Sequence, residues 1–441
     1  MRLAYVLIFK DPLVLPFAVD TYGFHHGANA LAKGHGFTTQ FGLLKPRQTA
    51  MHPPGYLLAL SLPSRLGLDS VLDHQIWSSV IGCLTVVTIG FVGRMVAGPR
   101  AGLLAAAIAA VYPNLWLYDG EMLSETLVLL TIAATVLSAY RLLRRPTIPN
   151  AFVLGFALGA TALTRAESVV LLPLIALPYL FVLGSTSLRR RAALVGAVCG
   201  AMLVTITPWV AFNLSRFERP EFLSTGAGLV LAWSNCNQTY YGERLGYLDV
   251  CGLASGRDES VMDYELRGRA LDYVSAHRSR VPLVVLAREG RTWGLFRPAQ
   301  QVRFDQTERD LLRDAWASWA GLVSYYVLAV ASIFGWIVLR RRRIPTFPLV
   351  ALVGSVIVTV AVTLGQFRYR VAAEVALVVL SAVALDRLER ASASGPGAAA
   401  PSVTAEARVA HDERARPVRT GGACGRTSPS SRAPAGRPGT D

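Results

Sequence analysis

The sequence predicts an all-α polytopic membrane protein, and three observations carry that reading. Hydrophobic residues make up 52% of the 441-residue chain and charged residues 17%, with mean hydropathy +0.40, a balance too apolar for a water-soluble chain of this size. The apolar residues fall in long unbroken runs, as membrane-crossing helices require. The arginines gather in short turns between those runs and in the tail, which follows the positive-inside rule. The same clustering accounts for the net charge of +15 and excludes nucleic acid as a partner.

In chain order the spans read Gln75–Val96, Ala101–Leu117, Met122–Tyr140, Ala151–Leu163, Val169–Leu183, Ala192–Phe212, Ala317–Leu339, Phe347–Leu364 and Val371–Leu385. Several are short enough to tilt or to pack inside protein. Four turns are basic, at Arg94/Arg100, Arg141/Arg144/Arg145, Arg189–Arg191 and Arg340–Arg343. With these four inside, Asp20–His74, Tyr118–Glu121, Thr164–Ser168, Asn213–Asp314 and Gly365–Arg370 all fall outside. Met1–Phe17 is apolar but broken by Lys10, Asp11 and Pro12, too short for a span of about 20 residues and without a signal-peptide cleavage site. It reads as the end of a first span whose beginning is missing or as the product of a late start, the second being favoured. Counting it, the chain has about ten spans with both ends cytoplasmic, a multi-pass protein of the plasma membrane.

Residues 1–390 form one membrane domain with a first outer loop at 18–74 and a small extracytoplasmic insertion at 213–316. The insertion carries apolar residues at helical spacing, with Pro282 marking a break, and could lie as an amphipathic cap on the outer leaflet. Cys236 and Cys251 fall within it and could close a disulfide in an oxidising compartment; no Cys/His metal spacing is present. From Ala391 to Asp441 the composition collapses into Ala, Gly, Pro, Ser and Arg, predicting a disordered basic cytoplasmic tail suited to anionic lipid.

Ionisable residues collect on the outer side: Asp20, then Asp119, Glu121 and Glu125, then Arg165 and Glu167, then Arg368, Tyr369 and Arg370. Short outer loops are polar anyway, but charge near membrane depth is costly and marks function when it converges on one face. A carboxylate able to take a hydroxyl proton, beside arginines able to hold phosphate, suits group transfer from a phosphorylated lipid donor. Asp20 with His25, His26, His35 and His52 also offers donors for a divalent metal, although two adjacent histidines followed by single ones are no metal signature; hydrogen bonding is the alternative role. A transporter or flippase of lipid-linked intermediates would want polar residues through mid-span, where this sequence is almost wholly apolar.

The ordered series DTYGFHHGANALAKGHGF, HPPGY, GRMVAGPRAGLLAAAIAAVYPNLWLYDGEMLSETL, LGFALGATALTRAESVVLLPL and GQFRYRVAAE resembles the family 39 type of GT-C membrane glycosyltransferases. That group includes protein O-mannosyltransferases and the lipid A aminoarabinose transferase, and the likeness is nearest to actinobacterial members. It covers roughly residues 1–390, and its specificity lies in the combination. The resemblance implies a GT-C fold and transfer of a sugar, a hexose or pentose, from a polyprenyl-phosphate donor on the extracytoplasmic face, with inversion. The acceptor would be a protein, a lipoglycan or a wall glycan. Asp20 matches the catalytic aspartate of the first outer loop and Glu125 the second acidic position. Arg165, Arg368 and Arg370 match the phosphate-contacting arginines; His52, Glu167 and Tyr369 complete the substrate-binding set. Two departures stand out: the first span is incomplete, and Asp20 is followed by Thr21 where protein O-mannosyltransferases often carry glutamate.

Overall fold

A computed structural model describes residues 1–10, 19–39, 47–184, 186–252, 258–307 and 313–393. Met1–Arg390 is one compact unit. Of Ala391–Asp441 only the end of a helix reaching Ala393 is described, so the expected tail lies otherwise outside the described residues.

The N-terminal apolar stretch forms α1 (Arg2–Phe9). Residues 18–74, expected as a loop, are largely helical: α2 (Val19–Ala32) packs against α3 (Pro54–Arg65), Phe24 meeting Tyr56 near their starts and Asn29 meeting Ser64 near their ends, with a hairpin of β1 (Thr38–Thr39) and β2 (Arg47–Gln48) nearby. Phe24, Ala28, Tyr56, Leu57 and Leu60 form a small apolar core between these helices. Paired prolines start α3, where a missing N–H costs nothing.

The membrane portion begins with α4 (Val71–Ala97), opened by a Ser70/Asp73 capping box. Next come α5 (Pro99–Val111) and α6 (Pro113–Glu121), bent 47° from each other where Pro113 follows Tyr112. Asp119 and Glu121 therefore lie on a helix, where a turn was expected. Met122 closes α6 in the left-handed conformation at φ 49°, and α7 (Glu125–Arg144) starts at Glu125. After α8 (Ile148–Ala162) the expected single span at 169–183 breaks into a 3-10 turn at Ala166–Val170, α9 (Leu171–Ala176) and α10 (Tyr179–Val182). The long α11 (Leu188–Leu214) completes this half.

The insertion holds α12 (Ala227–Ser234), α13 (Asn237–Tyr240), α14 (Glu259–Ala276), α15 (Val281–Thr292) and α16 (Pro298–Thr307). Pro282 sits in the first turn of α15, and the break lies just before it at His277–Arg280. Three C-terminal helices follow: α17 (Ala315–Arg341), α18 (Phe347–Val362) and α19 (Val371–Ala393).

Among the described residues, α4, α7, α11 and α17 are each long and apolar enough to cross a membrane, and the bent α5–α6 pair makes a fifth. The regions Ile148–Ala162, Ala166–Val182 and Phe347–Val362 are apolar but shorter. Exposed Leu84, Val87 and Phe91 on α4 and Val323, Val327 and Phe334 on α17 give these helices lipid-facing sides. Helices approach closely at small residues: a methyl on Gly90 would meet Ala106 at 3.1 Å, and one on Gly93 would meet the Ala105 methyl at 2.9 Å.

The basic turns meet at one end. Arg144 donates to the Met95 carbonyl, Arg190 donates to that of Pro146 at 3.1 Å, and the Tyr140 hydroxyl donates to that of Pro345 at 2.9 Å. The insertion and the predicted site residues occupy the other end.

Candidate active site

Four segments far apart in sequence place the charged cluster: the first turn of α2, the start of α7, the Arg165 turn that faces it, and the 3-10 turn Phe367–Arg370 between α18 and α19. Arg368 joins them. Its Nη2 donates to Asp20 Oδ2 at 2.7 Å, and its Nε lies 3.5 Å from Glu125 Oε1. Arg165 approaches Glu125 from the other side, Nη1 to Oε1 at 2.5 Å, and reaches Glu167 through Nε at 2.5 Å. Its guanidinium carbon stands 5.1 Å from the centre of the Tyr369 ring. His52 Nε2 is 3.4 Å from Asp20 Oδ1. Carboxylates and guanidiniums thus alternate along one chain, Asp20–Arg368–Glu125–Arg165–Glu167.

Glu125 is deeply covered and Tyr369 half-buried, and the side chains of Asp20, Arg368 and Glu167 keep partial exposure at 15%, 16% and 34%. Burial pushes the Asp20 carboxyl up, but the Arg368 charge and the hydrogen bond and charge of His52 outweigh it and hold Asp20 well below the usual carboxylate range. Burial raises the Tyr369 phenol to about 12 against the pull of Arg165 and Arg368. A small cleft opens beside the chain, lined by the polar Arg165, Ser168 and Tyr369 and by the apolar Val128, Ile132 and Val356.

Arg370 is elsewhere. It is fully buried, donating from Nε to Glu374 at 2.7 Å and from Nη1 to the Thr292 carbonyl at 2.8 Å, over the ring of Tyr325. Tyr112 donates to the same Glu374 at 2.6 Å. Expected as a phosphate ligand, Arg370 instead ties the 3-10 turn to α19 and the insertion. Asp119 pairs with Arg2 at 2.5 Å. Glu121 takes a bidentate bond from Arg313 at 2.6 and 2.8 Å, while its carbonyl accepts from Thr21 at 3.1 Å, next to Asp20.

The histidines separate. His25 Nδ1 faces His74 Nδ1 at 3.0 Å, and His74 Nε2 faces Ser64 Oγ at 2.8 Å. His52 stands beside Asp20. Among the described residues no group of three or more His, Cys, Asp or Glu side chains is arranged to hold a metal ion. Cys236 and Cys251 form a disulfide, Cα–Cα 6.2 Å.

Sequence reasoning missed Glu259, which accepts at one Oε from Thr49, the Ala50 amide and Thr225 at 3.0, 3.0 and 2.8 Å and so holds the strand leading to His52. Nothing in its local sequence separates it from any other acidic first-turn residue.

Comparison with known proteins follows the same lines. Residues 51–212 match the family described as dolichyl-phosphate-mannose-protein mannosyltransferase. By sequence, no curated protein matches the chain. Among solved structures, the oligosaccharyltransferase AglB from Archaeoglobus fulgidus, in complex with an inhibitory peptide and a dolichol-phosphate, superposes with TM-score 0.53 at 15% identity. That match covers 93% of this chain and 52% of the archaeal one. The chain has the GT-C fold. ArnT from Cupriavidus metallidurans bound to undecaprenyl phosphate is also similar, with TM-score 0.42 and 14% identity over 88% of this chain and 76% of that one. This GT-C chain spans about half the length of the archaeal enzyme. The resemblance read from the motifs is thus met by a family match over residues 51–212 and by the GT-C fold.

Proposed function

We propose that the chain is a membrane glycosyltransferase that moves a sugar from a polyprenyl-phosphate donor to an acceptor hydroxyl on the extracytoplasmic face of the plasma membrane, with inversion. The observation that carries this reading is Arg368 bridging Asp20 and Glu125, with Arg165, the other guanidinium on Glu125, lining a cleft of mixed polar and apolar walls. A lipid phosphate fits such a boundary: the head group meets guanidinium, the chain meets Val128, Ile132 and Val356.

In the proposed reaction the donor phosphate competes for Arg368 and Arg165. As Arg368 turns toward phosphate it leaves Asp20, whose carboxylate then loses the charge that holds its pKa down and becomes a better base. Asp20 takes the proton of the acceptor hydroxyl. The oxygen bonds to the anomeric carbon, the carbon–phosphate oxygen bond breaks, and the pair of electrons leaves on phosphate, steadied by the arginines. Glu125 keeps both guanidiniums in place, and His52 orients Asp20. The disulfide Cys236–Cys251 supports the oxidising side for this end of the molecule. The dolichol-phosphate in the structure of the archaeal oligosaccharyltransferase is of the class of carrier proposed here.

Asp20→Asn tests the assignment. In membranes supplied with polyprenyl-phosphate-linked mannose and cell-envelope acceptors, transfer should vanish while protein level stays unchanged. Wild-type transfer retained by the variant would remove Asp20 as the base.

A further inference from the structure

We propose that α15, together with the disulfide-closed loop 236–251, is a clasp that positions Arg368; its positioning residues are Arg288, Gly246, Gly365 and Tyr247. The proposal rests on the glycosyl-transfer reading for its kinetic consequence only. The clasp holds the turn between α18 and α19 at three points. Before the turn, Arg288 Nη1 donates to the Ala361 carbonyl at 3.0 Å. Within it, the Gly365 amide donates to the Gly246 carbonyl at 2.9 Å, and Gln366 Nε2 donates to the Tyr247 hydroxyl at 2.9 Å. After it, Arg370 donates to the Thr292 carbonyl at 2.8 Å, at the end of α15. Arg368 lies between the second and third of these.

Close backbone approach makes the clasp specific. A methyl on Gly365 would fall 2.7 Å from Arg288 Cα and 2.9 Å from its carbonyl carbon. A methyl on Gly246 would fall 2.8 Å from the Ala287 carbonyl carbon and from the Arg288 nitrogen, and Gly246 has φ +73° besides. Two glycine backbones therefore meet each other and the same step of α15, where no side chain fits. The rest of the loop is fastened to α15 as well. Arg288 Nη2 donates to the Ser234 carbonyl at 2.6 Å and to Asn235 at 3.0 Å, and Arg291 donates to the carbonyls of Leu245 and Glu243 at 2.6 and 2.8 Å. The Cys236–Cys251 bridge encloses Gly246 and Tyr247 and limits how far they can drift.

The test uses the full chain purified in detergent. Hydrogen exchange over residues 363–370 reads the clasp without reference to activity. In Cys236→Ala/Cys251→Ala and in Gly365→Ala, exchange there should accelerate at least tenfold, with α4, α7 and α11 unchanged. Undecaprenyl phosphate serves as the binding probe, and both variants should bind it about tenfold more weakly, approaching Arg368→Ala. In the donor assay the loss should fall on KM for the lipid donor more than on kcat. Reoxidation of reduced wild-type protein should restore both exchange and affinity. Should Gly365→Ala not fold, Tyr247→Phe, which removes one hydrogen bond, is read in its place. Unchanged exchange at 363–370 in these variants overturns the clasp. Faster exchange in a wild-type protein that transfers no sugar keeps the clasp and removes the functional reading instead.

Discussion

At the scale of single residues, the site depends on guanidinium geometry. Arg368 reaches two carboxylates from two different nitrogens, Asp20 at 2.7 Å and Glu125 at 3.5 Å, a fixed spread that the planar fork provides and the single nitrogen of a lysine does not. Arg368→Lys should therefore lower kcat/KM for the lipid donor about thirtyfold, roughly 2 kcal/mol, a loss measured against donor concentration in membranes. Glu167→Gln should cost under threefold, because Glu167 is the outer, partly exposed member of the chain. Equal effects from the two substitutions would mean that Arg368 acts only as one charge among several. The residues that converge, Asp20, His52, Glu125, Arg165, Glu167, Arg368 and Tyr369, were all legible as polar groups flanking apolar runs. Arg370 lies apart from them for a geometric reason. In a 3-10 turn residues two apart point about 120° away from each other, and Arg368 and Arg370 find different partners although FRYR makes them look alike.

At the scale of elements, the segment before α4 was the least legible. Its glycines, histidines and asparagine have low helix propensity, and nothing local announces that α2 and α3 will pair. Tertiary contacts decide it, and one of them is a buried polar line from α2 to α4: His25 to His74, His74 to Ser64, Ser64 to Asn29 at 2.7 Å. Burial first, then the neighbouring His74 and His26 charges, depress the His25 pKa to about 4, with Asp69 opposing. The unfolded chain takes up this proton near pH 6.5, so between pH 6.5 and 4 the unfolded state binds more protons and stability falls as pH falls. The ceiling is about 3 kcal/mol for one such histidine. Thermal unfolding in detergent should lose several degrees between pH 7 and pH 5, and His25→Gln should flatten that slope. A slope identical in wild type and variant would assign the acid sensitivity to other groups. The break in α5–α6 at Pro113 and the division of 166–182 escaped hydropathy for a related reason: a window average registers apolar content, not the bends that packing imposes.

At the scale of the whole molecule, charge patterning carried the most information. Assigning the four basic turns to one side placed Asp20, Glu125, Arg165 and Arg368 together on the other, and these residues do form one cluster while the basic turns touch each other at the far end. The alternation survives errors in helix boundaries because it counts loops, not residues. It leaves the absolute orientation to experiment. In a background of Cys83→Ala, Cys199→Ala and Cys424→Ala, a cysteine is introduced either at exposed Glu218, in the insertion, or at exposed Thr147, between α7 and α8. With the insertion outside, a membrane-impermeant maleimide added to intact cells should label Glu218→Cys within minutes and leave Thr147→Cys unlabelled until the membrane is opened. The disulfide keeps Cys236 and Cys251 silent in both variants. Labelling of Thr147→Cys in intact cells, with Glu218→Cys protected, would invert the topology. It would put the carboxylate–guanidinium chain on the cytoplasmic face, where a disulfide-fastened clasp would be reduced and an extracytoplasmic lipid-linked donor could not reach Asp20.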